Sequence, residues 1–394
     1  MKKILGIVLT AVLSVGLLAG CGGGNNSSKS GGDTNKSDSS SKGFEIALIT
    51  DKGNIDDKSF NQGAWEGVVK FAEENNITHK YYKPEEASDA GYLAQIDLAV
   101  AGGAKVVVTP GYLFEVPVHV AQSKYPDVKF ILLDGAPHDA DYKDTTIKPN
   151  VASITYAEEQ SGYLAGYAAV KDGMTKLGFM GGMAVPAVQA FGYGFLQGAE
   201  GAAKELNLPD GSINVTYHYT GDFAETDTNK ATAKTIYQEG AEVIFACGGS
   251  VGKSVISAAA ESGKKVIGVD VDQRYDSETV ITSATKGLGA SVIAVLESIY
   301  KTNKWDTYGG KTTVFAAAND GVGLPTTVIG DEKANAFDRF QKFTKEDYDK
   351  VYETLKSGSV KPIRTFKVAD PDGYATADEL TKNLNLVKVK VKTR

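Results

Sequence analysis

Residues 45–62 read EIALITDKGNIDDKSFNQ. Glu45–Ile49 is an apolar run of strand length, the residues after it are mostly polar, and from Asn61 to Asn75 apolar side chains return with helical spacing. Ser59 stands where a helix N-cap is favoured, which puts Phe60 and Asn61 in the first turn. A strand passing through a loop into a helix is the repeating unit of parallel sheets, and its loop opens onto the crevice where strand carboxyl ends and helix amino ends meet. Asp51, Phe60 and Asn61 face that crevice. A carboxylate accepts hydrogen bonds, an amide donates and accepts, and an aromatic ring stacks, a combination that suits a flat, nitrogen-bearing ring.

The same step recurs outward from this stretch. Apolar runs at Lys105–Thr109, Lys129–Leu133, Lys176–Met180, Ile213–Tyr217, Glu242–Ala246 and Lys265–Val269 alternate with helical periodicity at Ala90–Gly102, Glu158–Lys171, Gln189–Leu206, Asn229–Gly240 and Gly252–Ser262. Steady alternation implies α/β lobes with parallel sheets covered on both faces. Two blocks of similar order, near 44–150 and 155–280, meet at the polar segment Pro149–Thr155, which reads as a crossover. After Asp270 come an extended run at Val280–Ala284, a helix from about Gly287 to Thr302 and another extended run at Lys311–Ala318. Two further crossings would follow, an arrangement that resembles the three-crossing hinge of type I periplasmic-binding-protein folds. On this reading residues 43–150 with about 283–315 form the N-terminal lobe, and 151–282 with about 316–394 the C-terminal lobe.

Composition narrows the function. The 394 residues carry a net charge of −7, with 42% hydrophobic and 23% charged residues, two Cys and four His. Two cysteines exclude a disulfide framework, and so few Cys and His disfavour a zinc site. Net acidity without a lysine or arginine run argues against nucleic acid, whose phosphates need clustered positive charge. No cofactor motif is complete: Gly248-Gly249-Ser250-Val251-Gly252-Lys253-Ser254 sits between a strand and a helix like a phosphate-binding loop, but the pattern demands a glycine where Cys247 stands. The histidines, His79, His119, His138 and His218, lie in no nucleophile or zinc motif, although Asp56-Asp57 and Asp270 with Asp272 are acid pairs of the kind a hydrolase uses.

The first cysteine closes an export signal. Met1-Lys2-Lys3 is basic, Ile4–Leu18 is almost wholly apolar, and Leu18-Ala19-Gly20-Cys21 follows. An apolar run this short falls below the ~20 residues that span a bilayer. The small residues before Cys21 resemble the lipobox of bacterial lipoproteins, which implies cleavage after residue 20 and lipidation of Cys21. Gly22–Lys42 contains no apolar side chain and reads as a flexible tether. The remainder is therefore expected outside the cytoplasm, lipid-anchored to the cell membrane, with the long tether suggesting a Gram-positive-type surface.

The opening stretch T-D-x-G-x-I-D-D-K-S-F-N-Q, followed by Ala64-Trp65-Glu66-Gly67, resembles the signature of the basic membrane protein family, the purine nucleoside receptor A-like lipoproteins that serve nucleoside ABC transporters. Phe191–Phe195, Ala246–Gly249, Val266–Gln273 and Thr282–Lys286 match further pieces in order, so the likeness runs from about residue 44 onward. It implies a monomeric substrate-binding protein with no cofactor or metal, closing over a nucleoside, with a purine as the expected base, and delivering it to an ABC-transporter permease. It also implies that Phe60 and Phe191 sandwich the base and that Asp51 and Asn61 read its polar edge. Asp134 and Asp270 would accept from ribose hydroxyls, Gly248 would admit a close backbone approach, and Lys286 would donate to the sugar. From the residues alone, the aspartates serve equally as turn caps, the phenylalanines as core, Lys286 as a surface lysine and Cys247 as a small buried hydrophobe. A sugar or other small-ligand receptor on the same fold, and an extracellular nucleoside-cleaving enzyme, are the competing readings.

Overall fold

A computed structural model of the chain describes residues 44–331, 333–365 and 367–393. The export signal, Cys21 and the tether lie outside the described residues. The first part of the fold alternates strand and helix until β5 follows β4 directly: β1 (Ile46–Ile49), α1 (Phe60–Glu74), β2 (His79–Tyr82), α2 (Asp89–Ala101), β3 (Val106–Pro110), α3 (Glu115–Lys124), β4 (Lys129–Leu133) and β5 (Val151–Tyr156). The second continues with α4 (Glu158–Lys171), β6 (Lys176–Gly181), α5 (Pro186–Glu205), β7 (Ile213–Tyr219), α6 (Asp227–Gln238), β8 (Val243–Cys247), α7 (Val251–Ser262), β9 (Lys265–Asp270) and β10 (Val280–Lys286). Then follow α8 (Leu288–Tyr300), β11 (Lys311–Phe315), β12 (Val322–Gly323), α9 (Lys345–Lys356), α10 (Ala377–Thr381) and β13 (Val387–Lys392).

Two sheets result, ordered β11-β5-β4-β3-β1-β2 and β12-β10-β9-β8-β6-β7-β13. Every pairing is parallel except that of β10 with the two-residue β12. The central strands are apolar and fully buried, as in β1 (IALI) and β8 (VIFAC), because helices cover both sheet faces. The strand order reverses between β1 and β3 in the first sheet and between β6 and β8 in the second. Loops at such switch points diverge to opposite faces and leave a crevice at the strand carboxyl ends.

The chain passes between the sheets three times, at Ala157, at Gly287 and between Ala316 and Gly321. These crossovers lie side by side: Ala157 N–H donates to the Phe315 carbonyl at 2.9 Å and Gly287 N–H to the Gly321 carbonyl at 2.8 Å. Two boundaries differ from the sequence reading. Pro149–Thr155 is not the crossover, because β5 pairs with β4 and β11 inside the first sheet. Its polar appearance comes from Ser153, whose hydroxyl donates to the Gly135 carbonyl at 2.6 Å and meets Thr312 Oγ1 at 2.9 Å, so the side chain is satisfied while buried. The division at 282/283 falls inside β10, which belongs whole to the second sheet.

The second lobe is centred on α4 and α5, whose backbones touch. A Cβ at Gly162 or Gly166 would overlap the carbonyl oxygens of Phe191 and Phe195, and Gly194 and Gly198 of α5 meet α4 in the same way. This contact buries Phe191 and Phe195 and fixes the start of α4 beside the first crossover.

Candidate functional site

The loop after β1 is organised by Asp57, which the sequence reading noted only as half of an acid pair. Asp57 is buried, and its Oδ1 accepts from the Ser59 and Gln62 backbone N–H groups at 2.8 and 3.1 Å. Its Oδ2 accepts from Asn61 N–H at 3.0 Å. Asp57 therefore satisfies the free amides of the α1 amino end. Ser59 does occupy the N-cap position, but its side chain makes no capping bond; its hydroxyl crosses the cleft to Asp270 Oδ2 at 2.5 Å.

Asn61 has its whole amide committed within this loop. Its Nδ2 donates to Asp57 Oδ2 at 2.9 Å and to Asp51 Oδ1 at 2.8 Å, and its Oδ1 accepts from Asp51 N–H at 3.2 Å. Asp51 Oδ1 also accepts from Gly53 N–H at 2.7 Å, which leaves Oδ2 as its open acceptor. That oxygen lies beside Gly111, whose φ of +115° and lack of a Cβ suit the close approach. Burial raises the Asp51 carboxyl to about 6, against the lowering effect of its bonds to Gly53 and Asn61.

A second cluster forms around Lys286 at the end of β10. The β10–β9 register sets Thr285 against Asp270, so Lys286 emerges next to that carboxylate. The buried ammonium lies 2.5 Å from Asp134 Oδ2, 3.5 Å from Glu158 Oε1 and 3.7 Å from Asp270 Oδ1. It also faces the rings of Phe60, Phe191 and Tyr156, with centroids at 4.7, 5.4 and 5.4 Å. Burial alone pulls a lysine down, but Asp134, Glu158 and Asp270 outweigh it and hold Lys286 above its usual range. Burial raises Asp134 and Asp270, with Lys286 offsetting part of each shift. Asp134, just past β4, and Asp270, the last residue of β9, both lie in the left-handed region, at φ of 57° and 68°. Such strain in a non-glycine residue is characteristic of functional sites.

Asp51, Phe60, Asn61, Asp134, Phe191, Gly248, Asp270 and Lys286 all line one cleft of about 810 Å³. Its floor is built at both switch points, from Asp51 and Gly111 after β1 and β3 and from Val185 and Gly248 after β6 and β8. Phe223 in a loop, Tyr112 in a short 3-10 turn after β3 and Pro186 at the first position of α5 add to the wall, and the sequence reading did not single them out. Asp57 did carry a signal, since a carboxylate just ahead of a helix start is a capping candidate. Cys247 lines the cleft as a buried thiol, and burial keeps it well above its usual range. Lys253, from the stretch resembling a phosphate loop, donates instead to the Asp56 carbonyl across the cleft at 3.1 Å. Gln273 likewise donates to the Lys58 carbonyl at 2.8 Å, so the lobes meet at the rim as well as through Ser59–Asp270 and Asp134–Lys286.

Two parallel-sheet lobes, three adjacent crossovers and an aromatic-lined cleft with a few buried charged groups between switch points define a two-lobed solute-binding protein of the type I periplasmic-binding-protein fold. The fold is shared with an ABC transporter system solute-binding protein from Aeropyrum pernix K1, at a TM-score of 0.70 and 22% identity over 84% of this chain and 95% of that one. The corresponding protein from Conexibacter woesei gives a TM-score of 0.62 at 24% identity, over 82% and 99% of the two chains. The chain belongs to the Bmp family, described as ABC transporter substrate-binding protein PnrA-like, whose pattern matches residues 44–361. It is 31% identical to the ABC transporter nucleoside-binding protein BmpA of Lactococcus lactis subsp. cremoris, over 85% of this chain and 95% of that protein. It is 32% identical to basic membrane protein A of Borreliella burgdorferi, over 79% and 84%.

Proposed function

We propose that this substrate-binding protein takes a nucleoside with a purine base, is held at the membrane by a lipid on Cys21, and hands its ligand unchanged to the permease of an ABC importer. The observation that carries the reading is the grouping of Lys286 with Asp134 and Asp270 beside the rings of Phe60 and Phe191. Vicinal hydroxyls donate to carboxylates and accept from an ammonium, while the aromatic faces match a heterocycle. Asp51 Oδ2 supplies a further acceptor for a ring N–H, and Asn61 acts by fixing that carboxylate. The excess of carboxylates over ammonium groups repels phosphate, favouring nucleosides over nucleotides. The name of the Lactococcus lactis relative agrees with this ligand class. Ligand binding would hold the lobes together and shift the population towards the closed form.

Calorimetry with inosine, guanosine, inosine monophosphate and glucose tests the reading, combined with mass spectrometry of ligand released by denaturation. Saturable binding of the two nucleosides, recovered intact, with neither the nucleotide nor glucose competing, is the expected result. Glucose binding without nucleoside binding would transfer the site to sugars, and free base accumulating on incubation would make the protein a hydrolase.

A further inference from the structure

Behind the cleft, Lys286 has a third carboxylate that no ligand reaches. Asp134 and Asp270 line the cavity, whereas Glu158 does not; it is 1% exposed, at the first residue of α4 immediately after the first crossover. Its Oε1 lies 3.5 Å from the ammonium and has no hydrogen-bond partner, as is true of Asp134 Oδ1. Its Oε2 accepts from Arg364 Nη1, which also donates to Glu159 Oε2 at 2.9 Å and to the Tyr156 carbonyl, the last residue of β5, at 2.7 Å. The segment carrying Arg364 is tied to α5 by two bonds between Ile363 and Gln197, at 2.8 and 2.9 Å. A guanidinium from near the carboxyl end of the chain thus grips the first crossover, and through Glu158 it faces the cation that ends β10 at the second.

We propose that Glu158, clamped by Arg364, is a positioning residue for the ligand: the fixed counter-charge that keeps Lys286 protonated and aimed when a bound molecule engages Asp134 and Asp270. A ligand whose hydroxyls draw on the two cleft carboxylates weakens their hold on the ammonium, and a buried cation needs an undiverted partner. Glu158 is placed for that duty because it is next to Lys286 and outside the cavity. A purely structural Glu158, favouring the α4 amino end through the helix dipole, would need neither an oxygen turned towards Lys286 nor a guanidinium on its other oxygen.

The test uses the purified full chain and two readouts, of which only the second rests on the nucleoside reading. In lysine-selective NMR of the ligand-free protein, the Lys286 side chain of wild type should titrate above the ordinary lysine value of about 10.4. Glu158→Gln should move that midpoint down, Arg364→Met should perturb the same resonance, and Arg364→Lys should recover it. By calorimetry, Glu158→Gln should weaken inosine binding by about tenfold, the size of a coupling between neighbouring charged groups. A Lys286 resonance that does not respond to Glu158→Gln overturns the proposal, as does an altered resonance with unchanged inosine affinity. Should wild type bind no nucleoside, the ligand class fails while the resonance alone decides the role of Glu158. Should Glu158→Gln not fold, Arg364→Met carries both readouts, because it leaves Glu158 in place.

Discussion

Phe60 and Asp51 divide the recognition of a flat ligand between dispersion and hydrogen bonding. Base–aromatic stacking contributes about 1–3 kcal/mol, so Phe60→Ala should weaken nucleoside binding by roughly ten- to a hundredfold, read as Kd by calorimetry, with Tm nearly unchanged because the ring borders the cleft. Asp51 makes a distinct prediction about pH. Its carboxyl rises from 3.8 to about 6 on burial, so the folded protein binds a proton there that the unfolded chain gives up more readily. The stability linked to that proton is fully present below about pH 4 and is lost as pH rises through about 6. The Tm of ligand-free Asp51→Asn, which cannot titrate, should therefore gain on that of wild type between pH 4 and pH 7; parallel curves would assign Asp51 an ordinary carboxyl. Asp51, Asp134, Asp270 and Phe60 were legible because they stand at strand ends or open a helix, positions that a parallel fold sends to one crevice. The duty of Asn61 was not, since an amide beside two carboxylates is defined by which oxygens it finds, and those belong to Asp51 and Asp57.

Among the elements, the strongly apolar strands and the edge strand β11 were readable, whereas the edge strands β2 and β13 were not. β2 (HKYY) and β13 (VKVKVK) lie at sheet edges, where only part of the surface is buried and lysine is favoured as protection against further pairing. β5 was mistaken for a connection because its Ser and Thr side chains look like linker until Gly135 and Thr312 are seen beside them. Helix pairing was equally hidden: nothing in the periodicity of α4 shows that its glycines face those of α5. That contact makes a firm prediction. Gly166→Ala would drive a methyl group into the Phe195 carbonyl, and overpacking of this kind costs roughly 1–3 kcal/mol. A lowered Tm in thermal unfolding is expected, whereas Gly263→Ala at the end of α7, with open space around it, should lose only what its left-handed φ of 61° demands.

At the scale of the molecule, the cleft joins two bodies that touch through Ser59–Asp270, Asp134–Lys286 and Lys253–Asp56, contacts that must break for a ligand to enter. No helix among the described residues is long and apolar enough to cross a bilayer, and the proposed lipid anchor on Cys21 lies outside them. Cys21→Ala should accordingly move the protein from the membrane fraction to the soluble fraction while leaving inosine affinity unchanged; retention on the membrane would point to another anchor. Two lobes were visible in the repeated strand–helix order, but their borders were not, since a crossover of one residue such as Ala157 or Gly287 leaves no compositional trace. The position of β11 has a consequence for biosynthesis. The first sheet is assembled from residues 46–156 and then waits for 311–315 to cover the open edge of β5. During synthesis the amino-terminal half stays unfinished until most of the second half has arrived, so neither lobe corresponds to a continuous segment that can mature ahead of the other.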